Sequence, residues 1–326
     1  MKWFRRLWPY ALLVLLIAAN VTVWIQRDRI ADWWRLRDYE PSKDIAVLVK
    51  DTTMTGWGEH LFYVNQPSLE SRTDFNKHCS DHGEDLAVLG CYHGNRRGIY
   101  LYAVTDPRLE GVRQVTAAHE MLHQAYDRLS VKEREHVGKL LQDFYDTRLS
   151  DSDIKTKIES YREDGADLTN EMHSILGTEV RELTPELETY YQKYFKDRSK
   201  VVKSSEAYQG EFKRRKELSE QYATQLDDLK KRFDTNKSEL NSKQTFLKNK
   251  KKDIETALAA SDRVAYEAAI TSYNDMVRDY NDQLAETRQL IEEYNRTSDA
   301  RKEVALQQHE LYEALDSHLG QAEQEQ

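Results

Sequence analysis

Basic residues are the minority charge in this 326-residue chain: 48 Lys and Arg stand against 57 Asp and Glu, a formal net charge of −9. The electropositive footprint that nucleic-acid binding depends on is missing, so nucleic acid is not an expected partner. Cysteine is scarce as well. The two present, Cys79 and Cys91, lack CxxC spacing and make a poor zinc knuckle. They either close a small disulfide loop, as an oxidising compartment allows, or stay as reduced structural thiols. Gly and Pro number only 12 and 5, and between residues 203 and 316 both vanish apart from Gly210. Nothing there breaks a helix. The remainder, 39% apolar and 32% charged, fits a globular core joined to long solvated helices rather than disorder.

Long apolar runs occur once. Residues 8–25 are interrupted only by Asn20 and Thr22 and are flanked by Trp3, Trp8 and Trp24. A stretch of about 17 to 25 apolar residues spans a bilayer as a helix, and interfacial Trp is its usual flank. The bulky ending Val23, Trp24, Ile25 is unlike a signal-peptidase site, so the expectation is an uncleaved anchor over residues 1–30 in contact with the lipid bilayer. Lys2, Arg5 and Arg6 on one side are opposed by Arg27, Arg29, Arg35 and Arg37 on the other. The cysteine pair and the long polar remainder tilt the expectation toward a single-pass protein of the cell membrane with its bulk outside the cytoplasm.

Residues 203–316 have helix composition throughout. Tyr266, Ile270, Tyr273, Val277, Tyr280, Leu284, Thr287, Ile291 and Tyr294 alternate spacings of four and three, an a/d seam. A weaker matching seam runs over residues 222–254, and Ala259 to Asp262 read as a turn ending in an N-cap. The simplest arrangement is an antiparallel hairpin about 80 Å long at 1.5 Å per residue, with a parallel homodimer or a coiled-coil protein partner as alternatives. Lys248, Lys250, Lys251 and Lys252 lie near its tip, either as a solvated face or as a contact for an anionic surface.

Residues 40–200 are the most varied in composition. Short apolar segments at 45–49, 61–64, 86–89 and 99–104 read as strands between turn signals, and helices are expected at 109–129, 131–145 and 166–183. Within the first of these helices sits His119-Glu120-Met121-Leu122-His123. Histidines four apart lie one turn apart on one helix face and can bind one metal. Glu120, displaced around the helix, is placed to act as a base on a metal-activated water. The segment 116–125 contains no other charge and no Pro, and Met121, Leu122 and Ala125 give the helix an apolar side to bury. The strand 99–104 upstream is suited to be an edge strand that holds an extended substrate.

This stretch resembles the zincin metallopeptidases, whose motif is the HExxH at His119 to His123. The resemblance covers about residues 95–183 and implies that His119 and His123 ligate Zn2+ while Glu120 is general base and proton shuttle. The Gly and third His of metzincins are absent from positions 124–129, which points to the gluzincin branch, where a Glu on a later helix is the third ligand. Glu171 is the expected one, because it follows Asn170 as the ligand Glu does in thermolysin-like enzymes, and small Ser174 would allow close helix approach. Glu179 and His173 are the alternatives. The acid that the family often carries four residues after that Glu is replaced by Ile175. Tyr126, His136 and Tyr161 are candidate oxyanion donors.

The resulting expectation is an α+β chain: an N-terminal transmembrane helix, a zincin-like domain over 40–200 with a small sheet and active-site helices, a coiled-coil hairpin over 203–316 and a disordered tail over 317–326. The expected function is zinc-dependent hydrolysis of peptide bonds in a protein or peptide substrate. The competing reading is a non-catalytic envelope adaptor whose coiled coil is the working part.

Overall fold

The structure, a computed structural model, describes residues 2–79, 88–94, 96–163 and 167–317, without the side chains of residues 2–12, 14 and 25. The expected tail over 317–326 lies outside them apart from Ser317. The described chain is mostly helical with one small sheet, and it divides into two compact units, Met1–Gly210 with Tyr312–Gln326, and Glu211–Leu311.

The first unit opens with α1 (Lys2–Leu36). Among the described residues no helix is long and apolar enough to cross a membrane. The expected anchor falls partly on residues whose side chains lie outside the description. Those that are described, including Leu13, Leu16, Val21 and Trp24, are all exposed. Farther along α1, Asp32 is buried against the domain, 2.7 Å from Arg96 Nε, 2.6 Å from an Arg128 amino nitrogen and 3.0 Å from His60 Nε2.

Residues 45–49 and 61–64, expected as strands, are not: 45–49 lie in α2 (Lys43–Asp51), and 61–63 in α3 (Gly56–Tyr63), with Val64 as its C-cap. The local reason is capping. Ser42 and Thr55 side chains accept from the backbone N–H three residues on, and Ile45, Leu48 and Val49 are buried at helical spacing rather than in alternation. The expected strand at 86–89 begins outside the described residues, and Val88 and Leu89 belong to no strand.

The sheet is built from β1 (Ser68–Glu70), β2 (Gly90–His93) and β3 (Gly98–Tyr102), with α4 (Arg72–His78) between the first two. Their order is β1-β3-β2, with β1 parallel and β2 antiparallel to β3. β3 is therefore the central strand, and β2 takes the edge position expected for residues 99–104. Burial explains this: Ile99 and Leu101 are both fully buried in the main core, which suits a strand covered by neighbours on both sides. A disulfide joins Cys79, at the end of α4, to Cys91 on β2.

A 3-10 turn at Pro107–Leu109 leads into α5 (Val112–Asp127), which is buried along nearly its whole length. Gly111 starts it at φ +101°, where a Cβ would lie 2.5 Å from the Ser204 carbonyl oxygen. Only glycine meets both conditions. Then follow α6 (Val131–Thr147), opened by a Ser130/Glu133 capping box, α7 (Ser152–Glu163), α8 (Leu168–Glu179) and α9 (Pro185–Tyr191). Ala118, Met121 and Leu122 of α5 share one core with Ile175 and Leu176 of α8 and Tyr191 of α9. The close approach depends on Gly177, where a Cβ would stand 2.6 Å from Leu122 Cδ1 and 2.7 Å from Tyr191 Cε1.

The second unit consists of parts of α10 (Ser199–Ala259) and α11 (Arg263–Leu315). Asp262 accepts from the Ala265 N–H as an N-cap after Ser261, which has φ 54°. Lys243 pairs with Asp279 at 2.6 Å, and Gln283 bonds Glu239. Both pairs are symmetric about Ser261, as antiparallel arms require. Every expected seam position of the first arm is at least partly buried. On the second arm the seam shifts: Leu290 is buried while Ile291 and Tyr294 are exposed. A straight helix drifts by about 20° per heptad, so a strict 3.5-residue repeat loses the interface after a few turns.

Candidate metal centre

α5 places His119 and His123 one turn apart, with ring centroids 4.7 Å apart and planes nearly perpendicular. α8 crosses α5 so that the Glu171 carboxylate stands before both rings: Oε2 is 3.6 Å from His119 Nε2 and Oε1 is 3.6 Å from His123 Nε2. These distances are too long for hydrogen bonds. They do match the separation of about 3.4 Å between ligand atoms that each lie 2.0–2.2 Å from one tetrahedral cation. The ligating atoms of the three residues all fall within 4.8 Å of one another. Glu171 Oε2 is buried without a hydrogen-bond partner. An orphaned carboxylate oxygen costs about 1–3 kcal/mol or more when left so, and a cation between the three side chains removes that penalty.

His123 is held in the orientation that ligation through Nε2 needs. Its Nδ1 lies 3.0 Å from Asn170 Oδ1 and 3.3 Å from Ser174 Oγ, so Nδ1 donates to the amide oxygen and Nε2 is the ring atom turned toward Glu171. Asn170 and Ser174 are i and i+4 on α8, which puts both on the face that meets α5. Neither was expected as an orienting group. The signal was present in the Asn preceding Glu171 and in the four-residue spacing to Ser174.

Carboxylates dominate the electrostatics of this pocket. Burial opposes a charge on His119, but the Glu171 and Glu120 carboxylates outweigh it and its pKa is raised. Burial likewise opposes ionisation of Glu171, but His119, His123 and Lys157 prevail, and its pKa falls below the ordinary carboxylate value. The carboxylate is therefore ionised at neutral pH. Glu120 is itself buried and packs under the edge strand, where a Cβ on Gly90 would come within 2.9 Å of its Oε1. Tyr92, two residues along β2, lies parallel to the His123 ring at 6.5 Å, and its hydroxyl faces Gln124 Oε1 at 2.5 Å and Asp127 Oδ2 at 2.8 Å.

The other expected candidates stand elsewhere. Glu179 is bound to Lys157 at 2.5 Å and to Gln209 at 2.8 Å. His173 points away into a tyrosine cluster, with Nε2 2.8 Å from the Tyr190 hydroxyl, and burial together with the charges of His123 and His119 pushes its pKa down to about 3. Tyr126 packs against His173, and His136 is exposed. Tyr161 alone among the oxyanion candidates feels both Glu171 and Glu120: burial comes first in raising its pKa, those carboxylates add to it, and Lys157 opposes. Its phenol keeps its proton at neutral pH.

Comparison with known proteins yields no match: no protein-family model, no curated protein and no solved structure matches the chain.

Proposed function

We propose that this chain is a zinc-dependent peptidase whose metal is held by His119, His123 and Glu171. The observation that carries the reading is the convergence of two imidazole Nε2 atoms on one ionised carboxylate with an unpartnered, buried oxygen. Two imidazoles and a carboxylate are a donor set of catalytic zinc, with one position left for water or substrate. Bound there, zinc supplies Lewis acidity toward a scissile carbonyl and lowers the pKa of a water toward about 7. Glu120 takes the proton of the attacking water and delivers it to the leaving amine nitrogen. The protonated Tyr161 donates to the developing oxyanion, and the β2 edge beside Glu120 aligns an extended peptide by main-chain hydrogen bonds.

The apolar, exposed side chains of Leu13, Leu16, Ile17, Val21 and Trp24 on α1 support attachment of this domain to a lipid bilayer through a single N-terminal helix. The disulfide supports an extracytoplasmic location. Protease accessibility in intact cells checks both. The adaptor reading draws on the second unit, which holds none of the three ligands. Metal analysis separates the two. The full-length chain is expected to bind one zinc, and Glu171→Gln to bind it far more weakly; a wild type without zinc ends the enzyme reading. Glu120→Gln is expected to keep its zinc and lose peptide-library cleavage, and equal activity in both proteins rejects the assigned base.

A further inference from the structure

We infer that Cys79, Cys91 and His93 form a second, redox-gated metal site, closed while the disulfide is intact and able to take Zn2+ once it is reduced. Their ligand atoms already lie within 4.8 Å of one another, and Cys91 Sγ is 3.4 Å from His93 Nε2. With Zn–S near 2.3 Å and Zn–N near 2.05 Å, a tetrahedral ion sets sulfur and nitrogen about 3.5 Å apart and two sulfurs about 3.8 Å apart. The imidazole therefore stands at ligand distance now. Two changes complete the site: the sulfur pair separates by side-chain rotation over its Cα–Cα span of 6.0 Å, and His93 Nε2 gives up its bond to the His78 carbonyl oxygen. In the oxidised form His93 Nε2 donates to the His78 carbonyl oxygen at 2.8 Å, a bond that metal binding exchanges for the ion, while Tyr100 keeps its edge contact with the ring at 5.6 Å.

The chemistry balances with a dithiol as reductant. It gives two electrons and two protons to the Cys79–Cys91 bond, producing two thiols, and leaves as its own disulfide. Zn2+ then displaces both thiol protons to solvent, and the His93 ring proton moves to Nδ1, so that two thiolates and one imidazole hold the ion. Two thiolates favour a soft or borderline cation over Mg2+ or Ca2+. The consequence reaches the α5–α8 centre, because Cys91 sits between Gly90, which packs on Glu120, and Tyr92, which faces His123. In either state a cross-link ties β2 to the end of α4: the disulfide when oxidised, the metal when reduced.

The site stands independently of the zinc at α5 and α8, and the test keeps them apart. Full-length chain carrying His119→Ala and His123→Ala is prepared oxidised and, under dithiol, reduced; both thiols are counted after unfolding and the reductant is removed without air. Titration with Co2+ is expected to give one equivalent with thiolate-to-cobalt charge-transfer absorption in the reduced form only, displaced by Zn2+. His93→Ala is expected to weaken that binding about a hundredfold. Wild type, read as reduced minus oxidised zinc content, provides the same increment if the double variant fails to fold. No thiolate absorption in the reduced form, no zinc increment, or unchanged affinity in His93→Ala overturns the site.

Discussion

Replacing Asn170 by Ala measures how much the orientation of His123 contributes to the metal binding proposed for this site. Asn170 Oδ1 and Ser174 Oγ compete for one Nδ1–H, at 3.0 Å and 3.3 Å. A single N–H cannot make two full bonds, so the shorter one carries most of the effect. Loss of an outer partner to a ligating imidazole costs about 10–100-fold in metal affinity, or about 1.4–2.7 kcal/mol. The upper half of that range applies to Asn170→Ala, because His123 is buried and water cannot readily replace the amide. Ser174→Ala should change affinity by less than about threefold. The helix start is untouched in both, since Asp167 accepts from the backbone N–H groups of Thr169 and Asn170. Competition for zinc against a chromophoric chelator reads the affinities, with circular dichroism to establish equal folding. Unchanged affinity in Asn170→Ala, or a larger loss in Ser174→Ala, would refute the reasoning.

Asp32→Asn removes the carboxylate shared by Arg96, Arg128 and His60 and should cost about 3 kcal/mol in urea unfolding, as expected when one partner of a buried pair is deleted. The pH dependence has a definite sign: burial opposes ionisation of Asp32, the three donors overcome it, and its pKa is lowered. A depressed carboxylate contributes stability above its unfolded pKa of about 3.9 and loses it as pH falls through the folded value, so wild type but not Asp32→Asn should lose this increment below about pH 4 in acid titrations. Gly90→Ala sets a methyl 2.6 Å from Thr116 Cγ2 and 2.9 Å from Glu120 Oε1, so β2 must lift. A loss of about 1–3 kcal/mol is expected, with peptide cleavage reduced more than zinc binding. Gly177→Ala meets Leu122 and Tyr191 and should lower the melting temperature by a similar energetic margin while holding α8 off α5.

The parts of this chain that could be read from sequence are those governed by local rules. The HExxH helix was legible because histidines four apart with apolar neighbours admit one placement on a helix. The hairpin turn was legible from Asp262 and the seams on either side. Segments of four or five apolar residues were not legible, since 45–49 and 61–64 satisfy both periods and their capping side chains decided the outcome. The sheet order was hidden for a different reason. Which strand is central depends on lateral pairing, and the parallel pairing of β1 with β3 joins residues about thirty positions apart, which no local pattern reports.

The arrangement of α8 explains why position 175 carries no acid, where the resemblance to thermolysin-like enzymes implies one. The position where that pattern carries an acid, Ile175, is fully buried in the apolar core beside Met121 and Leu122. A carboxylate there would be desolvated with no partner and would cost several kcal/mol. Asn170 and Ser174 occupy the face that meets His123, so the orienting hydrogen bonds come from the residue before Glu171 and from the one after its next turn. A neutral amide in that role also leaves Glu171 as the only anion of the proposed ligand set. Asn170→Asp therefore adds charge without changing the geometry, and tighter zinc binding in that variant is the outcome that this placement of α8 requires.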